Sequence, residues 1–249
     1  MIPQPHHFTE GTFMALFKEN AVIVVTGATG SIGSAIVDRL TQLGARVVVC
    51  DFGQPEPRGF DISDRAGWKK LMDWVISEYG QLDALINNAG VMTQGVDTVR
   101  DLDDDQWARV MNINVDGARL GMSEAIRVMG EGGGRIVNTA SVAGYRHMPG
   151  ACVYSTSKAA VIGLTEQAAL DYTSKGILIN AVAPGEMKNV MKHGKPGPLR
   201  AQIIDASLTA EAVRSDEIAA AVEFLLDARV TSVVGTTIQV DGGVGLFKL

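Results

Sequence analysis

Residues 26–33 read Thr26-Gly27-Ala28-Thr29-Gly30-Ser31-Ile32-Gly33, and they join an apolar run, Ala21 to Thr26, to a segment of helical periodicity, Ser31 to Leu43. A strand that turns through glycines into a helix presents the unpartnered first amides of that helix, which with the helix dipole hold anions such as a pyrophosphate. Glycine permits the close approach. A glycine triplet alone is as easily an ordinary turn, so the residues downstream decide. Asp51 ends the next apolar run, eighteen residues after Gly33, near the spacing at which an acid receives the hydroxyls of an adenosine ribose. A phosphate on that ribose meets like charge at Asp51, and the glycine loop holds no basic residue to offset it. The pattern favours NAD over NADP; the plainer alternative is that Asp51 is a solvated turn residue.

Further β-branched runs lie at Arg46 to Cys50, Asp83 to Ile86, Arg135 to Thr139, Ile177 to Val182 and Thr236 to Val240, and read as strands buried on both faces. Between them Ser63 to Tyr79, Asp104 to Met129, Val153 to Ser174 and Ser215 to Ala228 carry helical periodicity. Right-handed crossovers then place helices on both faces of a parallel sheet, a doubly wound Rossmann-type α/β fold that binds ligands beyond the carboxyl ends of its strands. The 249 residues, 46% of them hydrophobic, suit one domain over 20–249 preceded by an arm at 1–19. A net charge of −6 argues against a duplex nucleic acid as partner. No leader pattern or membrane-length apolar run is present, and Cys50 and Cys152 show no disulfide or metal spacing, so a soluble, metal-free protein of a reducing cytoplasm is expected. His6 and His7 alone make no metal site.

Asn87-Asn88-Ala89-Gly90, Asn114-Val115-Asp116-Gly117, Ser141, Tyr154-Ser155-Thr156-Ser157-Lys158, Pro184-Gly185 and Asp241-Gly242-Gly243 follow the glycine loop in that order. With it they make the chain, from about Phe17 to Gly243, resemble the short-chain dehydrogenase/reductase family in its small single-domain form. The resemblance implies a seven-stranded sheet of order 3-2-1-4-5-6-7, a nicotinamide cofactor, an alcohol or ketone as substrate and a homotetramer. Cofactor contacts are implied for Gly27, Thr29, Ser31, Ile32 and Gly33 in the loop, and for Asp51, Asp61 and Ile62 around the adenosine. They are also implied for Asn88, Ala89 and Gly90, for Tyr154 and Lys158, and for Pro184, Gly185, Met187 and Asn189, the last standing where the family often has threonine. Two departures are visible. The triplet Gly27, Gly30, Gly33 is similar to that of the family's larger, extended branch, and only nine residues separate Asp51 from Asp61, where the family usually has a helix. Two prolines and two glycines there disfavour one.

Tyr154 and Lys158 are four apart on a predicted helix and so share a face. An ammonium roughly 5 Å from the phenolate lowers its pKa by about two at an effective dielectric near 20, which brings the phenol toward acid–base work at neutral pH. The resemblance makes Tyr154 the proton-transferring group, Ser141 the residue that polarises the substrate oxygen, Lys158 a ribose ligand and Asn114 the holder of a water linking Lys158 to solvent. In isolation Ser141 and Asn114 would more simply satisfy local backbone groups. The stretch from Glu186 to about 206 resembles the family's variable substrate lid. Its Lys188, Lys192, His193, Lys195 and Arg200 suggest either an anionic substrate or an ordinary solvated surface. Arg146 and His147 face either substrate or the protein exterior. The expected reaction is NAD-linked interconversion of a secondary alcohol and its ketone. An NADPH-dependent reductase of acyl thioesters or polyketides, and a catalytically inactive nicotinamide-sensing or scaffold protein, are the alternatives.

Overall fold

Six strands, Val22–Thr26 (β1), Arg46–Cys50 (β2), Ala84–Asn87 (β3), Gly134–Thr139 (β4), Ile177–Pro184 (β5) and Thr237–Val240 (β6), form one parallel sheet in the order β2-β1-β3-β4-β5-β6. The computed structural model describes residues 20–93, 95, 97–188 and 198–246, without the side chains of 198–200. The expected arm at 1–19, Asn189 and most of the charged lid residues therefore lie outside the described residues.

The helices are Ser31–Gln42 (α1), Arg65–Tyr79 (α2), Asp104–Met111 (α3), Gly117–Met129 (α4), Cys152–Tyr172 (α5), Pro198–Asp205 (α6) and Ser215–Leu226 (α7). Alternate residues of β1 serve opposite faces, as the period of two in a strand requires. Ile23 and Val25 join Ile36 and Leu40 of α1 and Ile218, Val222 and Leu225 of α7 in one apolar layer. Val22 and Val24 join Trp68, Leu71 and Val75 of α2 and Leu120 and Ala125 of α4 in the other. The inner strands β1, β3 and β5 and most of β4 are buried from both sides, so their sequences run apolar with little alternation, while the edge strands β2 and β6 are only partly covered.

The doubly wound parallel architecture is as expected, but the sheet has six strands among the described residues where the family resemblance implied seven. The missing one is the border strand beyond β2. A helix followed by a returning parallel strand needs a crossover of a dozen residues or more, and the nine residues between Asp51 and Asp61 cannot supply it. They form turns instead, and Asp51 closes the segment by donating its amide to the Arg58 carbonyl (3.1 Å).

A second difference lies in the long helix expected from Asp104 to Met129. It is interrupted by one π-helical turn, Asn112–Asp116, which separates α3 from α4. Such turns concentrate at functional sites. Here the turn carries Asn114 inward, to 2% exposure.

Candidate active site

A cavity of about 930 Å³ opens along the carboxyl ends of the strands. At one end lies the glycine loop. Gly27 has φ +59°, and a Cβ there would stand 2.8 Å from the Ala89 Cα; one at Gly33 would run into the Gly27 carbonyl oxygen. No side chain caps the first amides of α1, which leaves them for an anion. Gly27, Thr29, Ser31, Ile32 and Gly33 all line the cavity, as does Gly30, which the sequence reading left out of the contact set. Asn88 fixes the loop from behind, its Nδ2 donating to the Thr26 and Gly27 carbonyls (3.1 and 3.2 Å).

Asp51 sits at the tip of β2. Its Oδ2 accepts the Thr29 amide and hydroxyl (2.9 and 2.5 Å), and its Oδ1 accepts the Phe52 amide (2.8 Å). Burial pushes the carboxyl pKa up, but these hydrogen bonds outweigh burial and hold it below the ordinary aspartate value. The carboxylate is thus ionised at the cavity's edge. Asp61 and Ile62 line the same end; Asp61 Oδ1 accepts the Ser63 amide and hydroxyl (2.9 and 2.8 Å), and the Ile62 carbonyl accepts the Trp68 indole N–H (2.7 Å).

At the cavity's middle, Ser141, Tyr154 and Lys158 come together with Ala89, Gly90, Pro184, Gly185 and Met187. Ser141 ends the segment after β4, and its Oγ accepts the Ala143 amide (3.2 Å). Tyr154 and Lys158 stand one turn apart on α5, with Lys158 Nζ 5.8 Å from the Tyr154 ring centroid. That ammonium donates to the Thr139 carbonyl (2.8 Å). A Cβ on Gly90 would lie 3.2 Å from Asn114 Oδ1 and 3.3 Å from Lys158 Nζ, so these two groups flank the same backbone. Asn114 exchanges two hydrogen bonds with Val91, accepting its amide (2.8 Å) and donating to its carbonyl (2.9 Å), and donates also to Ser157 Oγ (3.0 Å).

The electrostatics correct one expectation. The phenol of Tyr154 is held above its ordinary pKa: burial raises it, the Ser141 hydroxyl lowers it in part, and the Glu186 carboxylate raises it again. Lys158 does not reverse this, and burial brings its own pKa down to about 8. Sequence spacing gave the pair but not its burial, which decides the sign.

Two features have no counterpart in the sequence signals, and the place of a third residue, Arg146, follows only from the fold. Asp97, 6% exposed, receives the Val153 amide (2.8 Å) and the Thr93 hydroxyl (3.2 Å), and so caps α5 from a distant loop. Arg146, left undecided between substrate and exterior, donates through Nε to the Gly245 carbonyl (2.5 Å) while lining the cavity. Val244 and Ile203 bring apolar wall from the C-terminal turn and α6. None of these carries a local signal, since each depends on contacts across the chain. Cys50 and Cys152 are free thiols, and no helix among the described residues is long and apolar enough to cross a membrane.

A family model described as enoyl-(acyl carrier protein) reductase matches residues 27–245. The chain belongs to the short-chain dehydrogenase/reductase family. It is an oxidoreductase acting on CH–OH groups. Among its relatives, meso-2,3-butanediol dehydrogenase of Serratia marcescens is 34% identical, the match covering 90% of this chain and 94% of that protein. The 3beta-hydroxysteroid dehydrogenase 2 of Eggerthella lenta is 32% identical over 88% of this chain and 93% of its own length. The crystal structure of an NAD+-bound xylitol dehydrogenase superposes with a TM-score of 0.81 at 31% identity, covering 90% of this chain and 99% of that one.

Proposed function

We propose that the protein catalyses the reversible NAD-dependent oxidation of a secondary alcohol to its ketone, with Tyr154 exchanging the carbinol proton. The observation that carries this reading is one continuous cavity with uncapped helix amides and an ionised Asp51 at one end and Ser141, Tyr154 and Lys158 at its middle. The relatives named for butanediol, hydroxysteroid and xylitol chemistry support it.

The residues fit a dinucleotide. Gly27, Gly33 and the first amides of α1 would hold the pyrophosphate, Asp51 the adenosine ribose, and Asp61 and Ile62 the adenine. Lys158 would hold the second ribose, with Asn88, Ala89, Gly90, Pro184, Gly185 and Met187 lining the nicotinamide end. When bound, the nicotinamide supplies the two-electron acceptor. Ser141 donates its hydroxyl proton toward the carbinol oxygen and fixes its position, and Tyr154 Oη removes the carbinol proton in oxidation and returns it in reduction. Lys158 keeps positive charge near the phenol at neutral pH. Asn114 holds the backbone of Val91 beside Lys158, and we assign it the proton route from Lys158 outward. The family further gives the proposal a homotetramer in the cytoplasm, checked by sedimentation and fractionation.

Tyr154→Phe tests the mechanism: turnover should fall at least a thousandfold while NAD affinity, read by calorimetry, stays within about twofold. Retained turnover in that variant would remove Tyr154 from the chemistry. Asp51 predicts tighter binding of NAD than NADP, since the latter brings its phosphate against an ionised carboxylate; the reverse order in the same titration would favour the NADPH-linked reductase.

A further inference from the structure

We infer that the substrate is a secondary alcohol with a hydrocarbon body, alicyclic or branched, seated against Val142, Met148, Ile203 and Val244 with its carbinol at Ser141 and Tyr154. The inference rests on the dehydrogenase reading above and deepens it.

The apolar side chains of the molecule fall into layers that cover the two sheet faces and into smaller groups. One of these groups differs in kind. Val142, Ile203 and Val244, with Met148 packed against them, form a cluster separate from both layers, and every member lines the cavity. Its members come from four places in the chain: the turn after Ser141, the segment leading into α5, helix α6 and the C-terminal turn. Side chains gathered from such distant segments onto a cavity wall make a surface for apolar matter to rest on.

The wall is also held in place. Arg146 donates to the Gly245 carbonyl (2.5 Å). Asp241 accepts the amides of Gly243 and Gly245 (both 2.8 Å), and Leu208 donates its amide to the Gly242 carbonyl (2.8 Å). These bonds hold the turn that packs Val244 against Val142 and Ile203. The Arg146 Nε that could have served a polar substrate is thereby committed to the chain's own backbone. Ser141 directly precedes Val142 of this wall and shares the cavity lining with Tyr154, so a carbinol placed at these two residues leaves its carbon skeleton beside the cluster. A polyol in the same place would bury hydroxyls on Val, Ile and Met side chains without partners. Each methylene the wall takes from water is instead worth about a fourfold gain in kcat/KM.

Initial rates of NAD reduction with 2-propanol, cyclohexanol and xylitol test the inference on the full-length protein. Cyclohexanol should exceed 2-propanol and xylitol in kcat/KM by at least tenfold each. Val244→Asp should lower kcat/KM for cyclohexanol at least tenfold more than for 2-propanol, and Val244→Ala should do the same more weakly, a few-fold, should the aspartate variant fail to fold. Xylitol equal to or better than cyclohexanol, or a uniform loss across the alcohols in both variants, would overturn the hydrocarbon assignment alone. Absence of NAD reduction with all three alcohols would overturn the dehydrogenase reading and this inference with it.

Discussion

Lys158 is 4% exposed, and burying its charge is destabilising to the fold. Burial brings its pKa from 10.5 to about 8. Between those values the unfolded chain binds a proton that the folded one has released, so this residue makes stability rise with pH across that window. Below about 8 both states are protonated and the folded state carries the full penalty, on the order of 3 kcal/mol. Lys158→Met should therefore raise Tm by several degrees at pH 7 and abolish turnover, with the gain in Tm shrinking toward pH 10; thermal unfolding at pH 7, 9 and 10 measures it. Tyr154 sets a second pH dependence. With the phenol held above its ordinary pKa, the base is a small fraction that grows with pH, so alcohol oxidation should accelerate as pH rises from 7 to 9.5, while ketone reduction, which needs the still predominant acid, should stay nearly flat. Parallel trends in the two directions would contradict the assignment. The identity and spacing of Tyr154 and Lys158 were legible in the sequence because a helix fixes which residues share a face. Their ionisation was not, because desolvation depends on what the rest of the chain packs around them.

At the scale of elements, α5 stands out because it carries Tyr154 and Lys158 yet begins without a capping side chain of its own and without an acid in its first turn. Asp97 supplies both, through its bond to the Val153 amide, while Asp97 also donates its amide to the Gly150 carbonyl (3.0 Å). Asp97→Ala should cost about 1 to 2 kcal/mol of stability and lower kcat, since Val153 directly precedes Tyr154. Asp97→Asn, which keeps an acceptor, should recover most of both; denaturant unfolding and initial rates check this pair. In the sequence Asp97 is one loop acid among several, and nothing local marks it. The same holds for the π-helical turn at Asn112–Asp116: the periodicity read through it as one helix, while the Asn114 side chain that bonds Val91 reveals itself only in three dimensions. The glycine loop lies at the other extreme. Its residues are contiguous, their conformational demand is local, and the reading from sequence agrees with the fold.

For the whole molecule, ligand linkage gives the broadest check. NAD bound to the folded state alone should stabilise it by about 2.7 kcal/mol at one hundred times its Kd, and NADP at the same concentration should raise Tm less, as read in a thermal shift titration. The sheet's order was legible apart from its border, where the count of nine residues after Asp51 announced the loss of a helix but the loss of the strand emerged only from the pairing. That border has a practical side. Asp51 and its short turn line one end of the cavity and also continue the outer edge of the sheet just past β2, where the Asp51 amide donates to the Arg58 carbonyl and its carbonyl accepts the Gln54 amide. Whoever re-engineers this chain for a phosphorylated cofactor must rebuild the segment that continues an edge strand with an open row of backbone donors and acceptors. Cofactor exchange and resistance to aggregation are here a single design problem, to be screened together.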